Sequence, residues 1–529
     1  MRRLRIPPAA IPWAILALAL AVRLLTAAAV RQPGYTDAYY YAVGARQLDQ
    51  GQGFREPFIW NYLAPPDGVP HPGYLYWMPL TAILGWLGLA SLGHSFWAMQ
   101  MPFVLLSALL PLVAYGLALD MGAQRKHAVL AGILAVVPGF YAHFFVLPDN
   151  FAPFALAGSL CLWSAGRGRR TGRAAWFGLA GLAAGFGHLA RADGLLLLGV
   201  ALLAAIWNPA NELHLRDVLL SFAACLVGYL AVMGPWFVRN WLIAGSPLPG
   251  GGMRTMFLTD YDDMFAYGAP LNLEGYLAWG WGAILGSKAQ ALWLNLLRLW
   301  VEGFLIVLLP FSALGVWRLY RGGGRDVLWP FLLYLPLLFV AMTLVFTFPG
   351  VRGGLFHSAG ALLPFIFATT GPGLEAAVRW AARHVRGWRA RQAWQVFAVG
   401  LVCIVLVVTG LALWRAGIWD GEWNRRDEGY RAIGQWLEAE GAAGATVMVG
   451  NAPGFVWYTG HPAVAIPNNN IDIILFVADR YDVRYLVLDA ARPRTTDGLY
   501  AGEETHPRLV LRAASQAEAQ PWQLYEVEQ

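Results

Sequence analysis

Long uncharged hydrophobic segments recur along the chain, and they require a helical bundle that crosses a membrane. A helix of roughly 20 apolar residues spans the hydrocarbon core of a bilayer. Only 13% of the 529 residues are charged while 58% are hydrophobic, which argues against an ordinary soluble globular protein. We predict eleven crossing segments, with approximate bounds 11–30, 96–119, 129–146, 151–165, 176–189, 195–207, 218–236, 292–314, 327–348, 354–371 and 396–414.

Basic residues set the predicted orientation, because Lys and Arg collect in cytoplasmic loops. Arg2, Arg3 and Arg5 precede the first span without a signal-peptide cleavage pattern, so the chain is predicted to begin in the cytoplasm. Further basic clusters fall at alternate span ends, at residues 125–127, 167–173, 318–325 and 379–391. Eleven crossings leave the C-terminal tail outside, which predicts a multi-pass protein of the cell membrane.

Two further regions complete the predicted architecture. Residues 74–92 are rich in aromatic residues and Gly and lack a basic end, which favours an interfacial helix. From about residue 420 strand-like and helix-like segments alternate, as in a soluble α/β domain. The sequence therefore predicts a polytopic α-helical membrane protein of about eleven transmembrane helices plus interfacial helices, divided into a transmembrane domain (1–419) and a small external α/β domain (420–529).

Several classes of function lack their sequence signatures. No Gly-rich nucleotide fingerprint follows a strand and no Walker loop is present, which argues against a nucleotide-driven pump. No Cys/His spacing indicates a structural metal, and Cys161, Cys225 and Cys403 all lie in apolar runs. The alternation of basic clusters with spans indicates membrane topology and contact with membrane lipids rather than nucleic acid.

Ionisable residues at the predicted outer ends of spans are the candidate catalytic and binding groups, because such residues are costly there unless paired or wetted. Asp37 follows the first span among aromatic residues that include Tyr39 and Tyr40, whose rings suit packing on a sugar. The other candidates are Asp149, Arg191, Arg239, Arg352 and His357. A carboxylate can take the proton of an attacking hydroxyl, and Arg donates paired hydrogen bonds to phosphate. The set therefore predicts transfer from a phosphate leaving group.

The acidic candidates have structural alternatives. Thr36 or Asp37 can instead cap a helix that begins near Ala38, and Asp149 can cap the helix that follows it. A helix start would also keep Asp37 ionised and lower its strength as a base.

The basic candidates have alternatives as well. Arg191 can pair locally with Asp193, and Arg239 taken alone favours an interfacial anchor that snorkels. His357 on an apolar helix face is more often a structural histidine. Arg352 favours a ligand, because the glycines on both sides of it let a ligand approach the backbone. The acidic run 260–263 lacks the spacing of a calcium loop and is interpreted as a solvated loop.

The order of these motifs resembles the GT-C membrane glycosyltransferases, which include protein O-mannosyltransferases, aminoarabinose transferases and oligosaccharyltransferases. The resemblance rests on YTDAYY at 35–40, the helix entry at 72–80, LPD at 147–149, GHLARADG at 187–194, PWFVRN at 235–240 and RGGLFHS at 352–358.

The resemblance implies a polyprenyl-phosphate sugar donor, an inverting displacement at the anomeric carbon, and a lipid, glycan or protein acceptor. Asp37 is then the general base, Asp149 a supporting carboxylate or metal ligand, and Arg352 or Arg191 the group that holds the donor phosphate. Any divalent cation would use Asp37 and Asp149, although the lack of a paired Asp-x-Asp at Asp149 puts metal dependence in doubt. The tail also lacks the Trp-Trp-Asp signature of oligosaccharyltransferases, so transfer of a single sugar is predicted.

Three alternatives stay open at this point. A lipid-linked sugar flippase would also need charges in the membrane, although it more naturally shows related halves with broken helices. An oligosaccharyltransferase-like enzyme is the second alternative. In the third, the tail after residue 419 is a protein-interaction or acceptor-presenting module.

Overall fold

A computed structural model describes residues 7–207, 214–515 and 520–528 of the chain. The basic residues Arg2, Arg3 and Arg5, on which the predicted cytoplasmic start rests, lie outside the described residues. The helices up to residue 415 are α1 (Ile11–Ala29), α2 (Thr36–Asp49), α3 (Leu80–Leu92), α4 (Phe96–Asp120), α5 (Arg125–Val136), α6 (Phe151–Thr171), α7 (Ala174–Ala190), α8 (Leu195–Ile206), α9 (Leu215–Ala244), α10 (Gly251–Arg254), α11 (Leu273–Ala278), α12 (Trp281–Arg298), α13 (Leu309–Leu319), α14 (Arg325–Val340), α15 (Thr347–Pro349), α16 (Leu355–Ala359), α17 (Leu363–His384) and α18 (Ala390–Arg415).

The C-terminal region adds five helices and most of a sheet. Its helices are α19 (Glu422–Arg425), α20 (Gly429–Ala439), α21 (Ala452–Thr459), α22 (Ile471–Arg480) and α23 (Asp497–Ala501). The strands of the chain are β1 (Arg55–Glu56), β2 (Phe58–Ile59), β3 (His71–Pro72), β4 (Thr446–Val449), β5 (Ala463–Ala465), β6 (Val483–Leu488), β7 (Leu509–Ser515) and β8 (Trp522–Val527).

Several helical stretches have the length and apolar character of membrane spans. Within the described residues six qualify: Pro8–Ala29, Phe96–Asp120, Leu215–Ala244, Leu309–Val345, Thr347–His384 and Ala390–Arg415. The bent pair Arg125–Val136 and Gly139–Val146 makes a seventh, while α3, α7 and Ala192–Ile206 are shorter apolar helices. The predicted polytopic membrane protein is confirmed. The number of eleven crossings and the orientation stay predictions.

Glycines let neighbouring membrane helices approach closely, as is common inside bilayers. At Gly315 of α13 an added Cβ would lie 1.8 Å from the Thr369 carbonyl oxygen of α17. A Cβ added at Gly373 of α17 would likewise lie 1.7 Å from the carbonyl oxygen of Phe311 in α13. Since both helices meet backbone to backbone, α13 is held firmly against the buried helix α17.

The predicted span 129–146 is broken rather than straight. The chain bends by 46° between α5 and the following turns, where Pro138 and Gly139 interrupt the helix. Arg23 of α1 is fully buried and donates to the carbonyl oxygens of Val136, at 2.9 Å, and Ala135, at 3.3 Å. The carbonyls freed by the break are therefore paired inside the protein, as backbone in a membrane must be.

The predicted span 292–314 is wrong as a single helix. Helix α12 passes at Arg298 into a π-helical turn, Leu299–Gly303. Leu305 and Ile306 then take positive φ angles of 47° and 66° before α13 begins at Leu309. Hydropathy does not reveal this break, because the residues at the break are as apolar as those of a membrane-spanning helix. The break leaves Arg298 at the end of α12, beside the cavity described below.

The C-terminal region forms a six-stranded sheet in the order β2-β5-β4-β6-β8-β7. Strands β2, β5, β4 and β6 are parallel, and β8 and β7 run antiparallel to them. The predicted small α/β region is thus present. Its edge strand β2 comes from the loop after α2, with Phe58 opposite Ala463 and Ile59 opposite Val464. The predicted boundary near residue 420 stays a prediction, and the sheet itself joins both sides of it.

Side-chain contacts fasten the C-terminal region to the segment between α1 and α3. The guanidinium of Arg46 lies 3.2 Å from the ring centre of Trp457. Trp457 Nε1 donates to the Gln32 side chain and Trp423 Nε1 to the Gln32 carbonyl, both at 3.0 Å. These contacts place the C-terminal sheet above the start of α2, which carries Asp37.

Candidate active site

A cavity of about 1190 Å³ lies between the membrane helices and the C-terminal sheet. The start of α2, the loop before α3, the loop at 260–265 and the segment 349–357 form its membrane side. Residues that follow strands β4, β5 and β6 form its other side. The two halves of the chain therefore enclose one space.

Asp37 lies in the first turn of α2 and lines this cavity. Its side chain is 31% exposed, and burial raises the pKa of Asp37 to about 6, against the lowering effects of Arg191, its own backbone hydrogen bond and Arg352. In the described structure Tyr35 precedes α2 and no side chain caps the helix. The predicted cap is therefore not formed, and burial outweighs the helix start, so Asp37 is a stronger base than the helix start alone would make it.

Asp149 lies directly behind this position and is fully buried. Its carboxylate accepts hydrogen bonds from the Tyr35 hydroxyl and the Asn150 backbone N–H. Burial raises the pKa of Asp149 to about 7, although the Asn150 bond and Arg191 oppose the shift. Among the described residues Asp149 does not belong to the cavity lining, so its place is that of a support for the groups that do.

Arg191 and His357 meet on the side chain of Asn150. Arg191 donates to Asn150 Oδ1 at 3.3 Å and pairs with Asp193 at 2.9 Å, so the predicted local ion pair is present. His357 Nδ1 lies 2.7 Å from the same Oδ1, and its ring stacks on Phe151 at 3.7 Å between centroids. Because Oδ1 only accepts hydrogen bonds, the proton of His357 lies on Nδ1. The other ring nitrogen, Nε2, then carries a lone pair.

That lone pair faces the carboxylate of Asp37, with 3.9 Å between Nε2 and Oδ2. Ligand atoms of Asp37, Asp149 and His357 all lie within 4.8 Å of one another. Two carboxylate oxygens and one imidazole nitrogen suit a divalent cation, and a hydrogen bond from the far side of the imidazole ring is the usual way to orient such a ligand. The three residues fit a metal, and His357 joins the two acids that the sequence proposed for it.

Arg352 also reaches the cavity and lies over the ring of Tyr261, 5.2 Å from its centre. Burial and the Asp37 carboxylate raise the pKa of Tyr261 to about 12, so its hydroxyl stays protonated. The loop that carries Tyr261, interpreted from sequence as solvated, instead lines the cavity. Asp260 and Asp263 form a capping box within it, which holds Tyr261 over the site.

Three predicted binding residues are placed elsewhere, and their binding role stays a prediction. In the described part of the chain Tyr39, Tyr40 and Arg239 do not line the cavity. Tyr40 donates to buried Glu56, Arg239 packs over Trp236 at 4.5 Å, and Tyr39 contacts the C-terminal region. These three side chains therefore pack against other parts of the protein, outside the described cavity lining.

The aromatic surface of the cavity comes instead from Trp60, Tyr76 and Trp77. Trp60 and Trp77 stack with ring centres 4.3 Å apart. Sequence reasoning missed them, although the aromatic content of the loop between α2 and α3 carries the signal. It also missed Asn150 and Arg298, which no sequence motif marks.

Comparisons with known proteins bear on the family and the fold of the chain. Residues 71–238 match the dolichyl-phosphate-mannose-protein mannosyltransferase family. ArnT from Cupriavidus metallidurans bound to undecaprenyl phosphate has a similar structure, with a TM-score of 0.54 and 14% sequence identity over 97% of each chain. The apo state of the same ArnT has a TM-score of 0.51 and 15% sequence identity over 98% of each chain. The apo oligosaccharyltransferase of Archaeoglobus fulgidus has a TM-score of 0.49 and 12% sequence identity, over 90% of this chain and 69% of that one. A comparison with curated protein sequences found no match.

The chain has the fold of the GT-C membrane glycosyltransferases, which confirms the resemblance predicted from its motifs. The ArnT fold extends over nearly the whole chain, including the C-terminal region. The matched family and this fold support a glycosyltransferase that uses a lipid-linked donor.

Proposed function

We propose that this protein is an integral-membrane glycosyltransferase that transfers one sugar from a polyprenyl phosphate to an acceptor hydroxyl on the external face. The observation that carries the proposal is the meeting of Asp37, Arg191 and Arg352 in one cavity. The fold shared with an ArnT that binds undecaprenyl phosphate supports a prenyl-phosphate donor.

The reaction proposed is a displacement with inversion. Asp37 accepts the proton of the acceptor hydroxyl as its oxygen attacks the anomeric carbon. The bond from that carbon to the phosphate oxygen breaks, and the electron pair leaves with the prenyl phosphate. Arg352 and Arg191 donate hydrogen bonds to the departing phosphate and offset its charge. Trp60 and Trp77 pack against the sugar and exclude water from it.

Asp37, Asp149 and His357 would hold a divalent cation if one binds. Such an ion would supply a positive charge that stabilises the leaving phosphate. Asn150 fixes the imidazole for this role through its hydrogen bond to Nδ1.

The test of catalysis compares sugar transfer by wild type, Asp37→Asn and Asp67→Asn, with a synthetic lipid-phosphate donor and reconstituted membrane acceptors. Asp67 is a matched control, because its side chain is fully exposed and it lies in the same external loop. Asp37→Asn is expected to lose at least about a hundredfold in turnover, and Asp67→Asn to keep it. Equal turnover by all three proteins would reject Asp37 as the base.

The donor site is tested separately by binding. Arg352→Ala is expected to bind undecaprenyl phosphate at least about fivefold more weakly than wild type. The matched control is Arg484→Ala, an exposed arginine of the C-terminal sheet that lies outside the described cavity lining. Unchanged affinity in Arg352→Ala would remove Arg352 from the donor site.

A further inference from the structure

The far wall of the cavity belongs to the C-terminal domain, and the reaction steps above assign it no role. Three parallel strands, β5, β4 and β6, lie side by side there. The cavity lining includes the segments at their carboxyl ends: Gly450 and Asn451 after β4, Ala465 to Asn468 around the end of β5, and Ala491 to Arg494 after β6. In open α/β sheets this edge is where ligands bind.

The most favourable point on such an edge is where the connections change direction. The chain leaves β4 towards β5 on one side, and it leaves β6 towards β7 and β8 on the other. Strands β4 and β6 are neighbours, so the crevice lies between the segments that follow them. A Cβ at Gly450 would lie 2.6 Å from the Ala491 carbonyl carbon and oxygen. Glycine therefore lets these two segments touch and form one continuous wall.

The wall is basic. The C-terminal domain contributes the guanidinium groups of Arg426, Arg492 and Arg494 to the cavity lining, and among its described residues no carboxylate joins them. Arg492 is held by Asp497, at 2.9 Å, and stacks on Tyr500, 3.8 Å from the ring centre. Arg494 is exposed and belongs to the cavity lining. Its carbonyl oxygen accepts the backbone N–H of Asp497, but its guanidinium forms no hydrogen bond or ion pair with any described residue.

The cavity also has room for a second ligand. Pockets that enclose one drug-sized ligand measure roughly 300–1,000 Å³. The cavity of about 1190 Å³ exceeds this range, while a sugar phosphate is smaller than such a ligand. The donor head group at Arg352 and Asp37 therefore leaves space between itself and the C-terminal wall.

We propose that the C-terminal wall is the acceptor site, and that the acceptor presents an oxyanion, a phosphate or a carboxylate, to Arg494 while its hydroxyl reaches Asp37. The acceptor role rests on the proposed function. The binding of an oxyanion at Arg494 does not, and it is measurable without turnover. An uncharged sugar or a neutral peptide would form no ion pair with the guanidinium of Arg494.

The experiment uses the purified full chain in detergent, saturated with undecaprenyl phosphate so that the donor site is filled. The dissociation constants of three soluble probes are then measured: glucose 6-phosphate, glucuronate and glucose. Wild type, Arg494→Gln and the matched control Arg484→Gln are compared at one ionic strength. The affinity of each protein for undecaprenyl phosphate is measured as well, which checks folding and the donor site together.

The charged probes are expected to bind wild type and Arg484→Gln with equal affinity, and glucose is expected to bind both proteins more weakly. The affinity of Arg494→Gln for the charged probes is expected to be at least about fivefold lower than that of wild type. The tighter of the two charged probes identifies a phosphate or a carboxylate acceptor. Equal affinities of wild type and Arg494→Gln, or displacement of undecaprenyl phosphate by the probes, would overturn the proposal. If wild type does not bind undecaprenyl phosphate, the proposed function falls, while the Arg494 comparison without lipid still decides the anion site.

Discussion

Replacing Asp427 by Asn should strengthen the contact between the C-terminal region and α2. The gain is expected at neutral and alkaline pH and should be lost at acid pH. Asp427 precedes α20 and accepts a hydrogen bond from Tyr39 of α2. Burial raises the pKa of Asp427 to about 6, partly offset by the Tyr39 bond, while the nearby carboxylate of Asp489 adds to the rise. Its φ of 60° suits Asn as well as Asp.

The magnitude follows from the difference between the folded value, about 6, and the reference value, 3.8. Each pKa unit corresponds to about 1.4 kcal/mol, so the upper limit is about 3 kcal/mol. The raised folded pKa means that the charged form is disfavoured in the folded state. The resulting cost is small below pH 4, grows between pH 4 and 6, and is constant above. Partial exposure to solvent reduces the expected gain to about 1–2 kcal/mol at pH 8.

Amide hydrogen exchange at α20 and α21 measures the effect as a free energy of local opening. Wild type and Asp427→Asn are compared at each pH, so intrinsic exchange rates cancel. The variant should open less readily at pH 8 and about equally at pH 4, and the exposed control Asp67→Asn should change neither. Equal opening at pH 8, or a gain that is the same at both pH values, would refute the assignment of a buried charge at Asp427.

Three further outcomes are expected. Asn150→Leu removes the acceptor shared by Arg191 and His357, and should lower turnover about 10- to 100-fold in the transfer assay; turnover equal to wild type would dismiss this positioning role. Gly315→Val meets backbone in α17 and should cost about 1–3 kcal/mol, seen as a lower Tm, whereas an unchanged Tm would contradict the close packing. Calorimetry should show one Mn²⁺ bound by wild type and none by Asp149→Asn; binding of equal strength in both would place the ion elsewhere.

Four of the six ionisable residues predicted at span ends lie in the cavity lining: Asp37, Arg191, Arg352 and His357. Span ends on one side of a bundle share one membrane surface, which brings these groups within reach of one another. The sequence predicts Tyr39 at the same site because its ring suits packing on a sugar and because it is close to Asp37 in the chain. It lies about 200° around α2 from Asp37, at 100° per residue, and so it faces the C-terminal region instead.

The parts of the fold that sequence reasoning could not supply are those whose partners lie far away in the chain. Hydropathy predicts a straight helix through 129–146, because the groups that stabilise its break belong to other helices. Arg23 pairs the freed carbonyls at Val136, and Thr409 accepts the backbone N–H of Gly139 at 3.0 Å.

The edge strand β2 cannot be predicted from local sequence either, since its two loop residues form a strand only by pairing with β5, some 400 positions further along. The helix break and the β2 pairing both position parts of the candidate active site. The break in the membrane helix carries the chain round to Asp149, and β2 ties the loop after α2 to the basic wall. The groups proposed for donor, base and acceptor are therefore held together by contacts between distant parts of the chain, and no local motif contains the site.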